Sequence, residues 1–406
     1  MGFVALFGIA VFTSLDSAFS KLAQTAYSMS SSYLLAVIPL YMLMGEFAYN
    51  AGVTHDAYRV IYKWAGHLPG GLAMATIGGS AGFAAVCGSS SAAAVTMMSM
   101  AYPEMTKRNY ASSLSLGSVA AGGTLGILIS PSGAFVLYGL VTEQSIGKLF
   151  LSGIFPGILL TIVFMISIFI ECKINPRLAP PGPASSWGEK FDSLRGIWSV
   201  SILFAVVMGG IYLGVFTVTE AAGVGVIIAF FLVIIRRRLT RRTIASAFMN
   251  TIRTTGMIFT IIVGAMLFNY FLVLSGLTIA TANFITSLTL PPIGILCAIL
   301  FLFVIFGCIM DSWAMLLILV PILYPVVLAL DFDPIWFGCL TVIMVEFGLL
   351  TPPVGINVFI VAGMAKGVSI YSIYRGIVPF ILSQVICVAI LIAFPQIVLF
   401  LPYLGK

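Results

Sequence analysis

Residues 348–357 read Gly348-Leu349-Leu350-Thr351-Pro352-Pro353-Val354-Gly355-Ile356-Asn357, in the middle of an otherwise apolar run. Proline removes an amide donor and frees the carbonyl one turn earlier, and glycine lets the backbone turn sharply. A helix entering this stretch must break. The break leaves carbonyls beside the side-chain oxygens of Thr351 and Asn357. The chain uses the same device 222 residues upstream, at Gly126-Ile127-Leu128-Ile129-Ser130-Pro131-Ser132-Gly133. On that offset Gly126, Pro131, Gly133 and Val136 meet Gly348, Pro353, Gly355 and Val358. Leu68-Pro69 meets Leu290-Pro291, Ser90 and Ala92 meet Ser312 and Ala314, and Tyr102-Pro103 meets Tyr324-Pro325. With one inserted residue, Gly153-Ile154-x-Pro156 meets Gly376-Ile377-x-Pro379. Overall identity is weak. The weight lies in prolines and glycines, which set backbone geometry and keep register over a long stretch.

Composition names the solvent around these breaks. The 406 residues are 61% hydrophobic and 8% charged, with a mean hydropathy of +1.15. An ordinary soluble domain carries about 25% charged residues. A soluble enzyme, a disordered chain and a nucleic-acid binder are therefore excluded. The net charge of +6 sits in short clusters between long apolar runs, a pattern that orients membrane spans. An all-α polytopic protein in a lipid bilayer is expected, with clear apolar segments at Leu34–Tyr49, Leu149–Ile170, Ile197–Phe216, Val224–Ile235, Gly256–Leu274 and Gly376–Phe400. Gly2–Leu15 is apolar but too short to cross alone; a signal-like segment and an interfacial helix are alternatives to the favoured reading, a shortened first span within residues 1–32. The cysteines, Cys87, Cys172, Cys297, Cys308, Cys339 and Cys387, show no CxxC spacing and read as small core residues. His55 and His67 are isolated polar residues near short connections. Without a convergent His, Asp or Cys constellation at a break, no enzyme is expected.

The basic clusters give the sides. Arg236, Arg237, Arg238, Arg241 and Arg242 form the strongest cluster. Lys173, Arg177, Lys190 and Arg195 punctuate a loop rich in proline (Pro176, Pro180, Pro181, Pro183). Both loops are assigned to the cytoplasm, joined by two spans that turn outside at Thr217–Glu220. By the same parity Arg59, Lys63, Lys107, Arg108, Lys366 and Arg375 fall inside, while Glu143, Asp331 and Asp333 fall outside. The organisation expected is repeat 1 over 33–171, cytoplasmic loops and two connecting spans over 172–251, and repeat 2 over 252–406. The parity makes the repeats inverted, as in secondary transporters whose site lies at the midplane.

Each repeat carries a further broken element before its split helix. Residues 72–106 begin and end on one side, with Cys87-Gly88-Ser89-Ser90-Ser91-Ala92 at the centre. This suits a re-entrant hairpin whose non-helical tip is buried in protein or faces a cavity. A plain span with hydroxyls packed on a neighbour is the simpler alternative. Residues 292–328 repeat the pattern, with Met310-Asp311-Ser312-Trp313 at the tip. A carboxylate at bilayer depth costs at least ~2.5 kcal/mol, so Asp311 is a candidate cation ligand or proton carrier, a helix cap, or both. The split helices then occupy 112–142 and 335–366. Glu346, just before the second break, is a rival proton carrier whose plainer reading is a helix-end carboxylate facing water.

With these elements in place, the chain resembles the large membrane subunit of TRAP (tripartite ATP-independent periplasmic) transporters. The resemblance rests on Leu34–Glu46 (LLAVIPLYMLMGE), Gly66–Gly71 (GHLPGG), Ala120–Gly126 (AAGGTLG), Phe216–Ala221 (FTVTEA), Leu316–Pro325 (LILVPILYP) and Gly348–Asn357. It implies an elevator-type scaffold and transport domain, a small membrane subunit of the Q type, and a periplasmic substrate-binding protein of the P type. It also implies Na⁺ coupling, the bacterial inner membrane and a small organic acid anion such as a C4-dicarboxylate or sialic acid. Ser130-Pro131-Ser132 departs from the consecutive prolines common in the family, and Ser312 stands where proline is frequent.

The expected Na⁺ ligands are Ser89, Ser90, Gly126, Pro131 and Gly133 in one set. Asp311, Ser312, Thr351, Pro353 and Gly355 form the other. The anion is expected at Ser90, Ser91, Ser132, Ser312 and Asn357, between the two tips. Neither tip nor break contains Lys, Arg or His, so bound cations must supply the charge compensation. A stand-alone Na⁺- or H⁺-coupled carrier is the alternative.

Overall fold

The computed structural model describes residues 1–287, 290–365 and 367–404, so Lys366, the last residue assigned to the second split helix, lies outside the described residues. Helices α1 (Gly2–Phe12) and α2 (Leu15–Ser30) lead into α3 (Val37–Ala51) and the amphipathic α4 (Val53–Ala65). Hairpin 1 follows as α5 (Gly71–Cys87) and α6 (Ser90–Lys107), then split helix 1 as α7 (Ser112–Leu128) and α8 (Gly133–Thr142), bent by 42°. Next come α9 (Ile146–Ser152), α10 (Ile154–Ile174), the loop helix α11 (Trp187–Leu194), α12 (Trp198–Tyr212), α13 (Val218–Ile235), the long α14 (Arg241–Leu274) and α15 (Leu277–Thr286). Hairpin 2 is α16 (Pro292–Gly307) with α17 (Ser312–Ala329), and split helix 2 is α18 (Pro334–Leu350) with α19 (Ile356–Met364). The chain closes with α20 (Ile370–Ala393) and α21 (Gln396–Tyr403). Among the described residues six helices are long and apolar enough to cross a membrane.

Local chemistry sets the boundaries. Asp333 accepts from the amides of Ile335 and Trp336 at 2.8 and 2.9 Å, and Pro334 occupies the first helical turn, so α18 starts there. Thr217 and Glu220 form a capping box. The turn expected at Thr217–Glu220 therefore lies one step earlier, around Gly214, whose φ is +69°. The segment Gly376–Phe400 is divided by Pro395 into α20 and α21, because Pro395 lacks the amide a continuing helix needs. Five cysteines are buried as expected. Cys297 is exposed on α16 instead, where it lines a cavity shared with α18 and α20.

The two copies interlock. Arm α6 of hairpin 1 packs on α19, the far half of split helix 2, and arm α17 of hairpin 2 packs on α8, the far half of split helix 1. Each split helix also lies along both arms of its own hairpin. The tips thus meet the breaks inside the protein, where non-helical backbone has partners other than lipid. Helices α3, α13 and α14 pack together beside this unit. On the side assigned to the cytoplasm, Arg236 pairs with Asp56 of α4 and donates to Ser199 at 2.8 Å and to the Ala51 carbonyl at 3.1 Å.

Candidate functional site

Tip 1 is a two-residue turn. Gly88 ends α5 with φ +63°, a left-handed conformation that favours glycine, and extended Ser89 caps α6 by accepting from the Ala92 amide at 3.4 Å. Two glycines let this turn sit directly on split helix 1. A Cβ at Gly88 would stand 2.6 Å from the Pro131 carbonyl oxygen, and one at Gly126 would stand 2.5 Å from the Ser89 carbonyl oxygen. Ser89, Gly126 and Pro131, expected to share a cation, are therefore brought together.

Ser90 turns the other way. Its hydroxyl donates to Glu346 Oε2 at 3.3 Å and accepts from Asn357 Nδ2 at 2.8 Å. Asn357 Nδ2 also reaches the Ala120 carbonyl at 3.5 Å. Tip 1 is thus tied to both ends of break 2. Ser91 is exposed. Glu346 does not face water: it is 0% exposed, as is Asn357. The run from Ile335 to Leu350 is buried throughout, so a carboxylate inside it cannot reach solvent. The sequence signal for its importance was the one applied to Asp311, a lone acid in an apolar run.

The two breaks differ. At break 1, Ser130 donates to the Phe150 carbonyl at 2.7 Å and Ser132 donates to the Ile127 carbonyl. Ser130, Pro131 and Ser132 are buried, and the Trp313 ring of tip 2 lies on Gly133. At break 2, Pro352 and Pro353 are exposed. Thr351 donates to the Phe347 carbonyl at 2.7 Å, and Tyr374 of α20 donates to the carbonyls of Pro353 and Val354 at 2.9 and 2.8 Å. Tyr374 was not anticipated, because nothing in its own segment marks it as the partner of a break. Gly355 starts α19 with φ +62°. Asp311 accepts from the Trp313 amide at 3.0 Å and caps α17, with buried Ser312 beside it. The backbones of α16 and α18 meet at Gly307 and Gly348.

A cavity of about 210 Å³ opens beside tip 1. Gly45, Glu46, Ser89, Thr96, Asn250 and Thr251 are among its lining residues, and Glu46 accepts from Asn250 at 3.2 Å.

The donors at the tips and breaks suit a hard monovalent cation. Hydroxyl, carbonyl, amide and carboxylate oxygens are hard ligands, and Glu346 Oε1 and Asn357 Oδ1 are buried acceptors with no partner among the described residues.

An all-α multi-pass chain whose hairpin tips cross onto paired helix breaks defines a membrane transport protein of the split-helix, two-repeat class. The chain belongs to the TRAP transporters, matching the family described as tripartite ATP-independent periplasmic transporter, DctM component, over residues 1–397. It is 35% identical to the C4-dicarboxylate TRAP transporter large permease protein DctM of Pseudomonas aeruginosa, over 94% of this chain and 89% of that one. It is 30% identical to the sialic acid TRAP transporter large permease protein SiaM of Vibrio cholerae, over 92% and 87%. In fold it is similar to the crystal structure of the Alcanivorax borkumensis YdaH transporter, with a TM-score of 0.66, 17% identity and coverage of 95% and 90%. The protein is a large permease subunit of a TRAP transporter, a multi-pass protein of the bacterial inner membrane.

Proposed function

We propose that this permease imports a small organic acid anion in symport with Na⁺, receiving it from a periplasmic binding protein and working with a small membrane subunit. The observation that carries this reading is the crossed meeting of tips and breaks. It gathers oxygen acceptors, including an unpaired buried carboxylate, where the sequence supplies no basic side chain. A bound cation supplies the positive charge that such acceptors and an anionic cargo both require. Ser89, Gly126, Pro131 and Gly133 hold one position; Asp311, Ser312, Thr351, Pro353 and Gly355 hold the other. Exposed Ser91 and the cavity beside tip 1 offer a hydroxyl and open space to the cargo, whereas Ser132, also expected there, is buried with its hydroxyl on the Ile127 carbonyl. The crossed tips and breaks move as one transport unit against a scaffold of α3, α13 and α14, in an elevator motion.

The relatives named for C4-dicarboxylate and sialic acid support a carboxylate cargo. The tripartite description of the family supports the two partners. The test is uptake of labelled organic acids into proteoliposomes holding the permease and small subunit, with and without the binding protein and a Na⁺ gradient. Accumulation that needs both is expected. Equal uptake without Na⁺ would remove the coupling, and equal uptake without the binding protein would establish a stand-alone carrier.

A further inference from the structure

One polar cluster differs from everything the internal repeat accounts for. Ser90, Glu346 and Asn357 form a single chain of contacts, 3.3 Å from Ser90 Oγ to Glu346 Oε2 and 2.8 Å from Asn357 Nδ2 to Ser90 Oγ. All three side chains are buried, at 5%, 0% and 0% exposure. Two acceptors in this cluster, Glu346 Oε1 and Asn357 Oδ1, have no donor among the described residues. The four ion pairs found among the described residues all lie elsewhere.

The other repeat shows what an ordinary solution looks like. On the 222-residue offset Glu346 corresponds to Thr124 and Asn357 to Phe135. Thr124 satisfies itself on the Ala121 carbonyl at 2.6 Å, and Phe135 needs no partner. At these two positions repeat 1 leaves no acceptor open, where repeat 2 leaves two. A carboxylate out of water with no counter-charge and with the Ser90 hydroxyl as its one donor is strongly unfavourable. A divalent ion beside one carboxylate would leave a net positive charge in the core, whereas a monovalent ion leaves none. Carboxylate, amide carbonyl and hydroxyl oxygens are hard ligands.

We propose that Glu346 Oε1, Asn357 Oδ1 and Ser90 Oγ are the protein ligands of an additional monovalent-cation site, separate from the two sets at the tips and breaks. The site joins the tip of hairpin 1 to both halves of split helix 2. A cation there adds to the hydrogen bonds that already join the two repeats. This rests on the reading of the protein as Na⁺-coupled, and the test separates the two.

The measurement is Na⁺ binding to the purified permease without cargo or partners, followed by isothermal calorimetry and by the Na⁺ dependence of thermal unfolding, with choline as the control cation. The variants are Glu346→Gln, which keeps the shape and removes the charge, and Asn357→Ala, which keeps the charge and removes an oxygen. Asp311→Asn reports on the tip 2 set. Glu346→Gln is expected to lose one Na⁺ from the stoichiometry or to weaken one binding phase at least about tenfold, with Asn357→Ala shifted in the same direction and Asp311→Asn keeping that phase. Should either variant prove unstable, the other carries the test. Wild-type stoichiometry and affinity in both Glu346→Gln and Asn357→Ala would overturn the site and leave Na⁺ coupling intact. The same result with a pH-dependent difference between wild type and Glu346→Gln would assign the carboxylate to a proton and also overturn it. A wild-type protein that ignores Na⁺ altogether would defeat the broader reading, and this one with it.

Discussion

Hairpins 1 and 2 descend from one pattern, yet they live in different surroundings. Almost all of α5, the first arm of hairpin 1, is buried, whereas α16, its counterpart, exposes Phe301 at 63% and Ile305 at 45%. The reason is what covers them. Helices α4 and α10 pack along α5, with Ile168 and Cys172 against Gly70 at its start. In repeat 2, α20 stands off from α16, leaving an apolar cavity of about 370 Å³ lined by Cys297, Phe301, Val304, Val385 and Val388 among others. The breaks follow suit: Ser130, Pro131 and Ser132 are buried, Pro352 and Pro353 exposed. A sequence repeat thus fixes the local backbone device, while the neighbours decide which copy is clamped and which is free. Repeat 1 is the tightly held half of this conformation and repeat 2 the looser one.

The comparison can be broken most forcefully at Gly126. Gly126→Leu puts a side chain where the Ser89 backbone sits. The tip must move or the helices separate, so the proposed Na⁺-driven uptake should fall below detection while a stable but misaligned protein can still be purified. Normal uptake would show that hairpin 1 is not clamped. Next in size is Asp311→Asn. Asparagine caps a helix about as well as aspartate, so the fold should survive, and the half-saturating Na⁺ concentration for uptake should rise at least about tenfold. An unchanged Na⁺ curve would reduce Asp311 to its capping role.

A smaller and more direct contrast lies in the break hydroxyls. Ser130 bonds a remote carbonyl in a sealed environment; Thr351 bonds its own helix in an open one. Ser130→Ala should cost about 1 kcal/mol in stability, and Thr351→Ala distinctly less, measured by thermal unfolding in the same detergent. Equal losses would erase the difference between closed and open breaks. The smallest effect is expected away from both hairpins. Glu189 of the exposed loop helix α11 is held below the usual carboxylate range by the Lys63 ammonium of α4, 3.2 Å away. A depressed carboxylate keeps its contribution above its ordinary range and loses it as pH falls through the lowered value. Limited proteolysis of residues 175–197 should therefore be the same at pH 8 and pH 6 and accelerate only in stronger acid. Lys63→Ala should raise the neutral-pH rate less than about twofold, since exposed pairs contribute little.

Much of this architecture was legible from proline, glycine and charge alone. The split at 129–132 and that at 351–355 are written in residues that cannot continue a helix, and Asp311 announced a tip by its isolation in an apolar run. The site was read less completely. Local order pairs each tip with the break of its own repeat, and Ser89 does meet Gly126, but it gives no sign of a second set of contacts across the repeats. Ser90 instead turns to Asn357, 267 positions away, and Trp313 lies on Gly133. Such crossing is a property of three-dimensional packing, to which a one-dimensional period is blind. The plainer reading of Glu346, a helix-end carboxylate facing water, fails for a related reason: whether such a group meets water depends on which helices surround it.

Cys297 gives the looser hairpin a practical handle. Five thiols are buried among the described residues, and this one is exposed in the cavity beside α16. A membrane-permeant maleimide dye should find it in the native chain, so rearrangements of hairpin 2 can be followed by fluorescence without a single engineered residue.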